Sequence, residues 1–233
     1  MLAGDGTMPV TERGLRTRAE LVKAARAEFE RNGYFETSIQ DIARRAKVAY
    51  GTFYTYFAAK EEVFDEVVAD LVVSYRTIAE AEPRSGADPA SLIARANAGY
   101  LHAYRQNASM MAILEQVASF NPRLREIRRQ ARRYWVDRGA AAIAAWQSQG
   151  LARADLDPQY AASALGSMVD RSAYVWFVLG EPFEEDKAIE QLTLLYCAAL
   201  GLARPSNGAT SAEVPRRQVS CDGVDGAIGN QLT

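Results

Sequence analysis

Cysteine and histidine are scarce in this sequence, which has two cysteines and one histidine among 233 residues. Cys197 lies in an apolar stretch and Cys221 in a polar one, so a reducing compartment is favoured over a disulfide framework. His102 has no cysteine or carboxylate three or four positions away, as a helical metal site would need. Phosphate-binding glycine motifs are missing as well. These absences predict no metal, no cofactor and no catalytic residues, and they disfavour an enzyme.

Long apolar runs are also missing, so no stretch of the sequence is expected to span a membrane. The first ten residues lack the basic-then-apolar pattern of a secretion signal. Apolar residues make up 48% of the chain and charged residues 24%, which are ordinary values for a folded protein. We expect a cytoplasmic protein with no membrane partner.

Strand patterns do not occur, whereas helical periodicity runs through most of the chain. Asp88, Asn121 and Asp157 each precede a proline, a pattern typical of a helix start. The sequence therefore predicts an all-α fold of about nine helices. The predicted ranges are 17–32, a second helix after Thr37 or Ser38, 50–56, 60 to before Pro83, 89–106, 109–119, 122–149, 158–179 and 184–203.

Residues 37–60 have the layout of a helix-turn-helix, in which two short helices are joined by a tight turn. Phe53 and Phe57, four residues apart, are expected to face the core. The outer face of the second helix then carries hydroxyls and aromatic rings, which suit phosphate oxygens and base edges in a major groove. Residues 1–60 also hold ten basic against seven acidic side chains, whereas the rest of the chain is acidic. We therefore expect double-stranded DNA as a partner.

The same region resembles the TetR family of one-component bacterial repressors. The matching segments are Phe29-Glu-Arg-Asn-Gly-Tyr34, Thr37-Ser-Ile-Gln-Asp-Ile-Ala43, Ala46-Lys-Val-Ala-Tyr-Gly-Thr-Phe-Tyr-Thr-Tyr-Phe57 and Lys60-Glu-Glu-Val-Phe64. The resemblance is detailed over residues 16–70 and only architectural beyond them. One departure is Ala59, where the family often has a serine that caps the following helix.

The resemblance implies a homodimer that binds a palindromic operator as a repressor. It also implies release of the DNA when a small apolar or amphipathic effector enters the carboxy-terminal domain. The expected division is a flexible arm at 1–15, a DNA-binding domain at 16–62, a ligand-binding and dimerisation domain at 63–203 and a disordered tail at 204–233. The implied DNA-binding residues are Ser38, Gln40, Tyr50, Gly51, Thr52, Tyr54, Thr55, Tyr56 and Lys60. For Arg44 and Arg45 two interpretations stay open, namely contact with DNA phosphates and a place on the solvated outer face of the second helix.

The last two predicted helices have apolar faces that are too extensive to be solvated. Two such helices from each of two subunits could form a four-helix bundle, in which alanines and Gly166 allow close approach. Some of the same side chains could instead fill the core of one subunit. The residues expected at the dimer interface are Ala161, Leu165, Val169, Leu192, Leu195, Tyr196 and Ala199.

Aromatic residues and methionines collect where the family places its effector pocket. A cavity lined in this way would prefer a flat or chain-like apolar molecule held by few polar groups. Core packing is the alternative for each aromatic residue taken singly. The expected pocket residues are Asn97, Tyr100, Met111, Glu115, Phe120, Tyr134, Trp135, Met168, Arg171 and Trp176, with Asp170 as a further polar candidate.

Seven arginines lie between Arg123 and Arg138 on one predicted helix. A solvated outer face is the simpler interpretation. The alternative is an anionic effector such as an acyl-CoA, with its phosphates on Arg128 or Arg132. Two other classes of function stay open, namely a helical ligand-binding protein that has lost DNA binding and a helical-bundle enzyme. Neither predicts sequence-selective DNA binding.

Overall fold

The computed structural model describes residues 11–80 and 88–203, except for the side chains of residues 76–80. These described residues form nine α-helices and no strand, which confirms the all-α fold with an amino-terminal helix-turn-helix and a carboxy-terminal helical domain. The helices are α1 (Glu12–Glu36), α2 (Ile39–Arg45), α3 (Tyr50–Tyr56), α4 (Lys60–Glu80), α5 (Pro89–Gln106), α6 (Ala108–Ala118), α7 (Pro122–Ser148), α8 (Pro158–Phe177) and α9 (Glu185–Leu200). The predicted tail, 204–233, lies outside the described residues.

Helix α1 begins five residues earlier than the sequence predicts. The side chain of Thr11 accepts a hydrogen bond from the backbone N–H of Gly14 and caps the helix at Glu12. The predicted arm is therefore shorter than 1–15, and its residues 1–10 lie outside the described residues. Near its other end the helix is interrupted at Gly33, where φ is 80° and ψ is 170°. Only glycine adopts this conformation without strain, which explains the predicted stop.

Helices α2 and α3 are fixed by a cap and a tight turn. Ser38 and Asp41 form a capping box, in which each side chain bonds to the backbone N–H of the other residue. The turn closes with a 3.0 Å hydrogen bond from the N–H of Val48 to the carbonyl of Ala43. Lys47 takes a left-handed backbone conformation, with φ at 57°, inside this turn. Phe53 then anchors α3, because its ring is completely buried.

The helix-turn-helix half (α1–α3) and the helical domain (α4–α9) share one apolar core. Phe29 of α1 packs edge-on against Phe64 of α4, with 5.0 Å between ring centroids. The same cluster of buried side chains continues to Met110 and Leu114 of α6. Helices α1, α4 and α6 are therefore packed against one another in a single core.

The remaining helices build the helical domain on top of α4 and α6. Helix α5 packs against α4 and α9, and α7 packs along α8. Asp88, Asn121 and Asp157 cap α5, α7 and α8, each with proline in the first helical turn, as the sequence predicts. Helix α9 ends at Leu200 and not near 203, because Gly201 adopts a left-handed conformation that terminates it.

Candidate functional site

Tyr50 and Tyr54 form the outer edge of α3. Their side chains are 53% and 47% exposed, and their hydroxyls lie 2.9 Å apart. The rings meet edge to face with centroids 5.4 Å apart. Hydrogen bonding to Tyr50 raises the pKa of Tyr54, so this phenol stays neutral at physiological pH. The helix thus offers a hydrogen-bonded pair of hydroxyls and two exposed rings.

The other predicted contact residues of α3 share this surface to different degrees. Gly51 is exposed, and a Cβ added to it would meet no atom within 4 Å. Thr55 is exposed and Thr52 half-buried on the same short helix. Tyr56 is half-buried and packs against the core cluster beneath. Because Gly51 has no side chain, the backbone of a partner can approach α3 closely at this residue.

Helix α2 presents its amino-terminal end beside α3. Gln40 is exposed there. The hydroxyl of Ser38 lies 2.5 Å from a carboxylate oxygen of Asp41 and accepts from the N–H of that residue. The Ser38 hydroxyl and, to a lesser extent, Arg44 hold the pKa of Asp41 below its usual range. Ser38 therefore supports the helix end with both its hydroxyl and its backbone N–H.

The structure gives Arg44 and Arg45 different environments. The guanidinium of Arg45 donates a 2.5 Å hydrogen bond to Glu28, a carboxylate that is almost completely buried on α1. Arg45 thus ties α2 to α1 and neutralises a buried charge. Arg44 is largely exposed and pairs with Asp41 within α2. Of the two arginines, Arg44 is the one whose guanidinium is exposed enough to meet a phosphate.

Lys60 has a role that the sequence analysis missed. Its ammonium lies 2.8 Å from the carbonyl oxygens of Tyr34 and Thr37 and 3.3 Å from that of Phe35. It also lies 4.7 Å from the centroid of the Tyr34 ring. All three ammonium protons are thus used within the chain. Lys60 fastens the start of α4 to the end of α1, and a contact with phosphate would require one of these bonds to be exchanged.

The predicted pocket residues are brought together only in part. Tyr100, Met111, Met168 and Trp176 pack around one buried cluster that joins α5, α8 and α9. Trp135 packs on the first core cluster, with Tyr134 edge-on beside it. Trp176 stacks on Phe183, with 4.7 Å between the ring centroids, at the surface groove of α8 and α9.

Four other predicted pocket residues have local partners of their own. Asn97 is buried and donates to Thr193 of α9 over 3.2 Å. Glu115 pairs with Arg128. Arg171 is exposed and lies over the ring of Tyr174. Phe120 is half exposed, and its ring lies 5.2 Å from that of Phe35 of α1, measured between centroids. The structure therefore places Phe120 where the helix-turn-helix half meets the helical domain, and not in a pocket.

Three tyrosines and one aspartate form a polar cluster inside the helical domain. The hydroxyl of Tyr100 donates to Asp170 of α8 over 2.5 Å. The ring of Tyr100 lies 5.7 Å from that of Tyr75 and 5.9 Å from that of Tyr104, measured between centroids. The hydroxyl of Tyr75 is buried without a hydrogen-bond partner. Periodicity marks Tyr75 only as a core position of α4, so sequence reasoning missed it, although a tyrosine among valines and leucines signals a hydroxyl that needs a partner.

The predicted dimer residues divide between core and surface. Val169 and Leu192 are buried within the single chain. Leu195 is 56% exposed and lines, with Met168 and Trp176, a groove of about 640 Å³ between α8 and α9. A second core cluster includes the buried residues Ile143, Cys197 and Leu200. Ala161, Leu165 and Tyr196 are partly buried against it, and Ala199 is half-buried nearby on α9.

Most arginines of α7 have partners within the chain. Arg123 pairs with Asp65 of α4, and Arg128 pairs with Glu115. Arg125 donates to the carbonyls of Ala118 and Ser119. Arg129 and Arg133 pair with Glu126, and Arg132 donates to Ser163 and Ser167 of α8. Arg123, Arg125, Arg128 and Arg132 thus hold α7 to its neighbours, whereas Arg129 and Arg133 pair within the helix.

The described part of the chain contains neither a candidate metal site nor a candidate membrane span. Within residues 11–80 and 88–203, no group of three or more His, Cys, Asp or Glu side chains is placed to hold a metal ion. No helix in these ranges combines the length and the apolar character needed to cross a membrane.

Comparison with known proteins matches both halves of the chain to families. Residues 21–67 match the bacterial regulatory proteins of the tetR family, and residues 93–200 match the carboxy-terminal domain of the transcriptional regulator EthR. The helix-turn-helix transcriptional repressor KstR2 of Mycobacterium tuberculosis is 30% identical over 150 residues, which are 60% of this chain and 71% of that protein. The regulator YdgC of Bacillus subtilis is 32% identical over 68 residues, 29% of this chain and 35% of that protein.

A solved structure extends the likeness to most of the fold. The fatty acid degradation regulator FadR of Bacillus halodurans superposes with a TM-score of 0.66 over 77% of this chain and 94% of that one, at 16% identity. At this identity the superposition shows the shared fold alone.

Proposed function

The chain belongs to the TetR family of bacterial transcriptional regulators, and from this premise we propose that it is a repressor that binds a palindromic operator as a homodimer. A small apolar or amphipathic effector in the helical domain would release it. Since the operator lies on the bacterial chromosome, we place its action in the cytoplasm.

The single observation that carries the DNA-binding proposal is the outer face of α3. Tyr50, Tyr54 and the bare surface at Gly51 are exposed together, while Phe53 anchors the same helix from the opposite side. Exposed aromatic rings are costly unless a partner covers them, and a short helix with a glycine facing outward fits a major groove. Thr55 and Gln40 extend this face with hydrogen-bonding groups.

The groove between α8 and α9 supports the homodimer. Leu195 and Met168 line it with apolar side chains. A second copy placed across a twofold axis would cover these apolar groups with the same groups of its own. Val169 and Leu192 would support the interface from beneath, because they are already buried in one chain.

The core that joins the two halves supports effector control. A dimer presents two recognition helices, which must fit successive major-groove faces roughly 34 Å apart or a multiple of it. Helices α4 and α6 share their apolar core with α1, so an effector that moves them changes this spacing. A difference in affinity of a few kcal/mol between the two states shifts the equilibrium.

An acyl-CoA is one candidate effector, in keeping with the fatty-acid regulator among the structural neighbours. Its phosphates would have to displace Glu115 from Arg128, or the α8 serines from Arg132. Binding should then be lost in Arg128→Gln and weakened by salt. Unchanged thermal stability and unchanged DNA binding with acyl-CoAs of several chain lengths would exclude this class.

The experiment that tests the proposed function is selection of a random duplex library on the purified protein at near-physiological salt. We expect an inverted repeat to be enriched, and Tyr54→Ala to abolish the enrichment. Leu151→Ala is the matched control, because Leu151 is similarly exposed in the turn between α7 and α8. Lack of enrichment from a folded, ligand-free dimer would overturn the proposal.

A further inference from the structure

The tyrosine–aspartate cluster contains a buried hydroxyl without a hydrogen-bond partner and, among the described side chains, a carboxylate without a paired basic group. The hydroxyl of Tyr75 is buried with no hydrogen-bond partner, and the whole side chain is only 8% exposed. Native proteins rarely leave a buried hydroxyl without a partner, so such a group marks a place where another molecule binds. The ring of Tyr100 lies 5.7 Å from that of Tyr75, measured between centroids. The hydroxyl of Tyr100 in turn donates to the carboxylate of Asp170.

Asp170 is the charged member of the cluster's side chains by type, and it accepts one hydrogen bond. One of its carboxylate oxygens accepts the hydrogen bond from Tyr100, but within the described residues no lysine, arginine or histidine lies within 4 Å of it. Arg26 pairs with Glu30, and Arg128 pairs with Glu115. Among the described side chains the carboxylate of Asp170 therefore has no paired basic group, in a half-buried position where a compensating cation is favoured.

The phenols around this carboxylate stay neutral. Burial is the main cause that raises the pKa of Tyr75, Tyr100 and Tyr104, and the charge of Asp170 adds to the rise for each of them. The carboxylate thus lies within electrostatic range of all three rings. Neutral phenol rings keep an electron-rich face, which attracts a cation.

Apolar side chains adjoin the cluster. Met111 and Met168 are partly buried against the same group of side chains. Methionine adapts its shape to an incoming ligand more readily than branched residues do.

We propose that the effector of this protein is an organic cation, with its ammonium group held against Asp170 and the rings of Tyr75, Tyr100 and Tyr104, and its apolar part against Met111 and Met168. The hydroxyl of Tyr75 would then form a hydrogen bond with a polar group of the effector or with a water molecule bound to it. This assignment rests on the proposed function, because it places the effector in the helical domain of a ligand-controlled regulator.

Three probes of equal chain length and different charge test the assignment by isothermal titration calorimetry. They are hexyltrimethylammonium, hexanoate and 1-hexanol. We expect the ammonium probe to bind at least tenfold more tightly than the other two. Asp170→Asn should remove this preference, and Tyr75→Phe should weaken or strengthen binding of the ammonium probe by a factor of three or more. Tyr160→Phe is the control, since that tyrosine is highly exposed at the start of α8.

The outcomes separate this assignment from the proposed function. Equal binding of all three probes, binding of none, or a preference that survives Asp170→Asn would overturn the organic-cation assignment. If Asp170→Asn does not fold, as judged by circular dichroism, Tyr75→Phe and Asp170→Glu decide the matter by the same titrations. Retention of the operator without binding of the ammonium probe would refute the assignment alone. Tight binding of that probe by a protein that selects no DNA would refute the repressor function and leave the ligand site in place.

Discussion

The guanidinium of Arg26 donates a 2.6 Å hydrogen bond to the side-chain oxygen of Asn107, which is 81 residues away in the sequence. Asn107 ends α5 and begins α6, and its own amide donates to the carbonyl of Ala103. It follows directly after the helix that carries Tyr100 and Tyr104. This bond therefore connects the polar cluster of the helical domain to α1 of the helix-turn-helix half.

The strength of this connection can be measured with a double-mutant cycle. Arg26→Ala and Asn107→Ala should show a coupling energy of about 1 to 2 kcal/mol in urea denaturation, the range for a partly buried hydrogen bond to a charged group. A cycle between Arg26 and Gln149, which lies at the far end of α7, should give a value near zero. Additive effects for Arg26 and Asn107 would show that the bond does not couple the two halves.

Substitution of Gly51 by alanine should weaken DNA binding without lowering stability. Gly51→Ala places a methyl group where no atom lies within 4 Å, and alanine is a better helix former than glycine. We expect the free energy of unfolding to stay equal or to rise by up to about 1 kcal/mol. Affinity for the selected operator should nevertheless fall tenfold or more, because the methyl group stands between α3 and the DNA. Unchanged affinity in fluorescence anisotropy would mean that α3 does not approach DNA at this residue.

Lys60 should matter for stability before it matters for affinity. Lys60→Met removes the donor shared by the carbonyls of Tyr34, Phe35 and Thr37 and should cost about 2 kcal/mol. The exposed Lys187→Met should change stability by less than about 0.5 kcal/mol. The alternative is a lysine that contacts only phosphate. In that case thermal unfolding would not change, and the salt dependence of operator binding would decrease by about one unit of slope.

The exposed part of the α8–α9 groove should control dimerisation. Leu195→Glu places a charge on a side chain that is 56% exposed in the single chain, so the subunit can still fold. In a symmetric dimer two such charges would be desolvated close to each other, and sedimentation should therefore show a monomer. Leu151→Glu, at a comparably exposed leucine of the α7–α8 turn, should remain dimeric. If the Leu195→Glu protein remains dimeric, the interface lies on another surface of the subunit.

The sequence predicts the helices closely because their ends have local causes. The Asp-Pro and Asn-Pro pairs at α5, α7 and α8 are read from two adjacent residues, and each caps its helix in the structure. The exposed face of α3 follows in the same way from the spacing of Phe53 and Phe57. The early start of α1 depends on a single threonine cap beyond the periodic stretch, and it was missed.

Contacts between distant helices could not be predicted in this way. A basic residue beside a helix-turn-helix suggests phosphate, but the position of Lys60 against three carbonyls of α1 depends on how α4 is docked. The aromatic character of Phe120 suggests a pocket, whereas its contact with Phe35 depends on the turn between α6 and α7. The unpartnered hydroxyl of Tyr75 depends on three helices at once.

The most direct test of the central claim is the ratio of two affinities. Fluorescence anisotropy would compare the selected inverted repeat with a duplex of the same composition and shuffled half-sites, at the same salt concentration. We predict that the protein prefers the inverted repeat by about a thousandfold or more, and that Tyr54→Ala reduces this preference at least tenfold while the protein remains folded and dimeric. Equal affinity of the folded dimer for both duplexes would contradict sequence-specific recognition by α3.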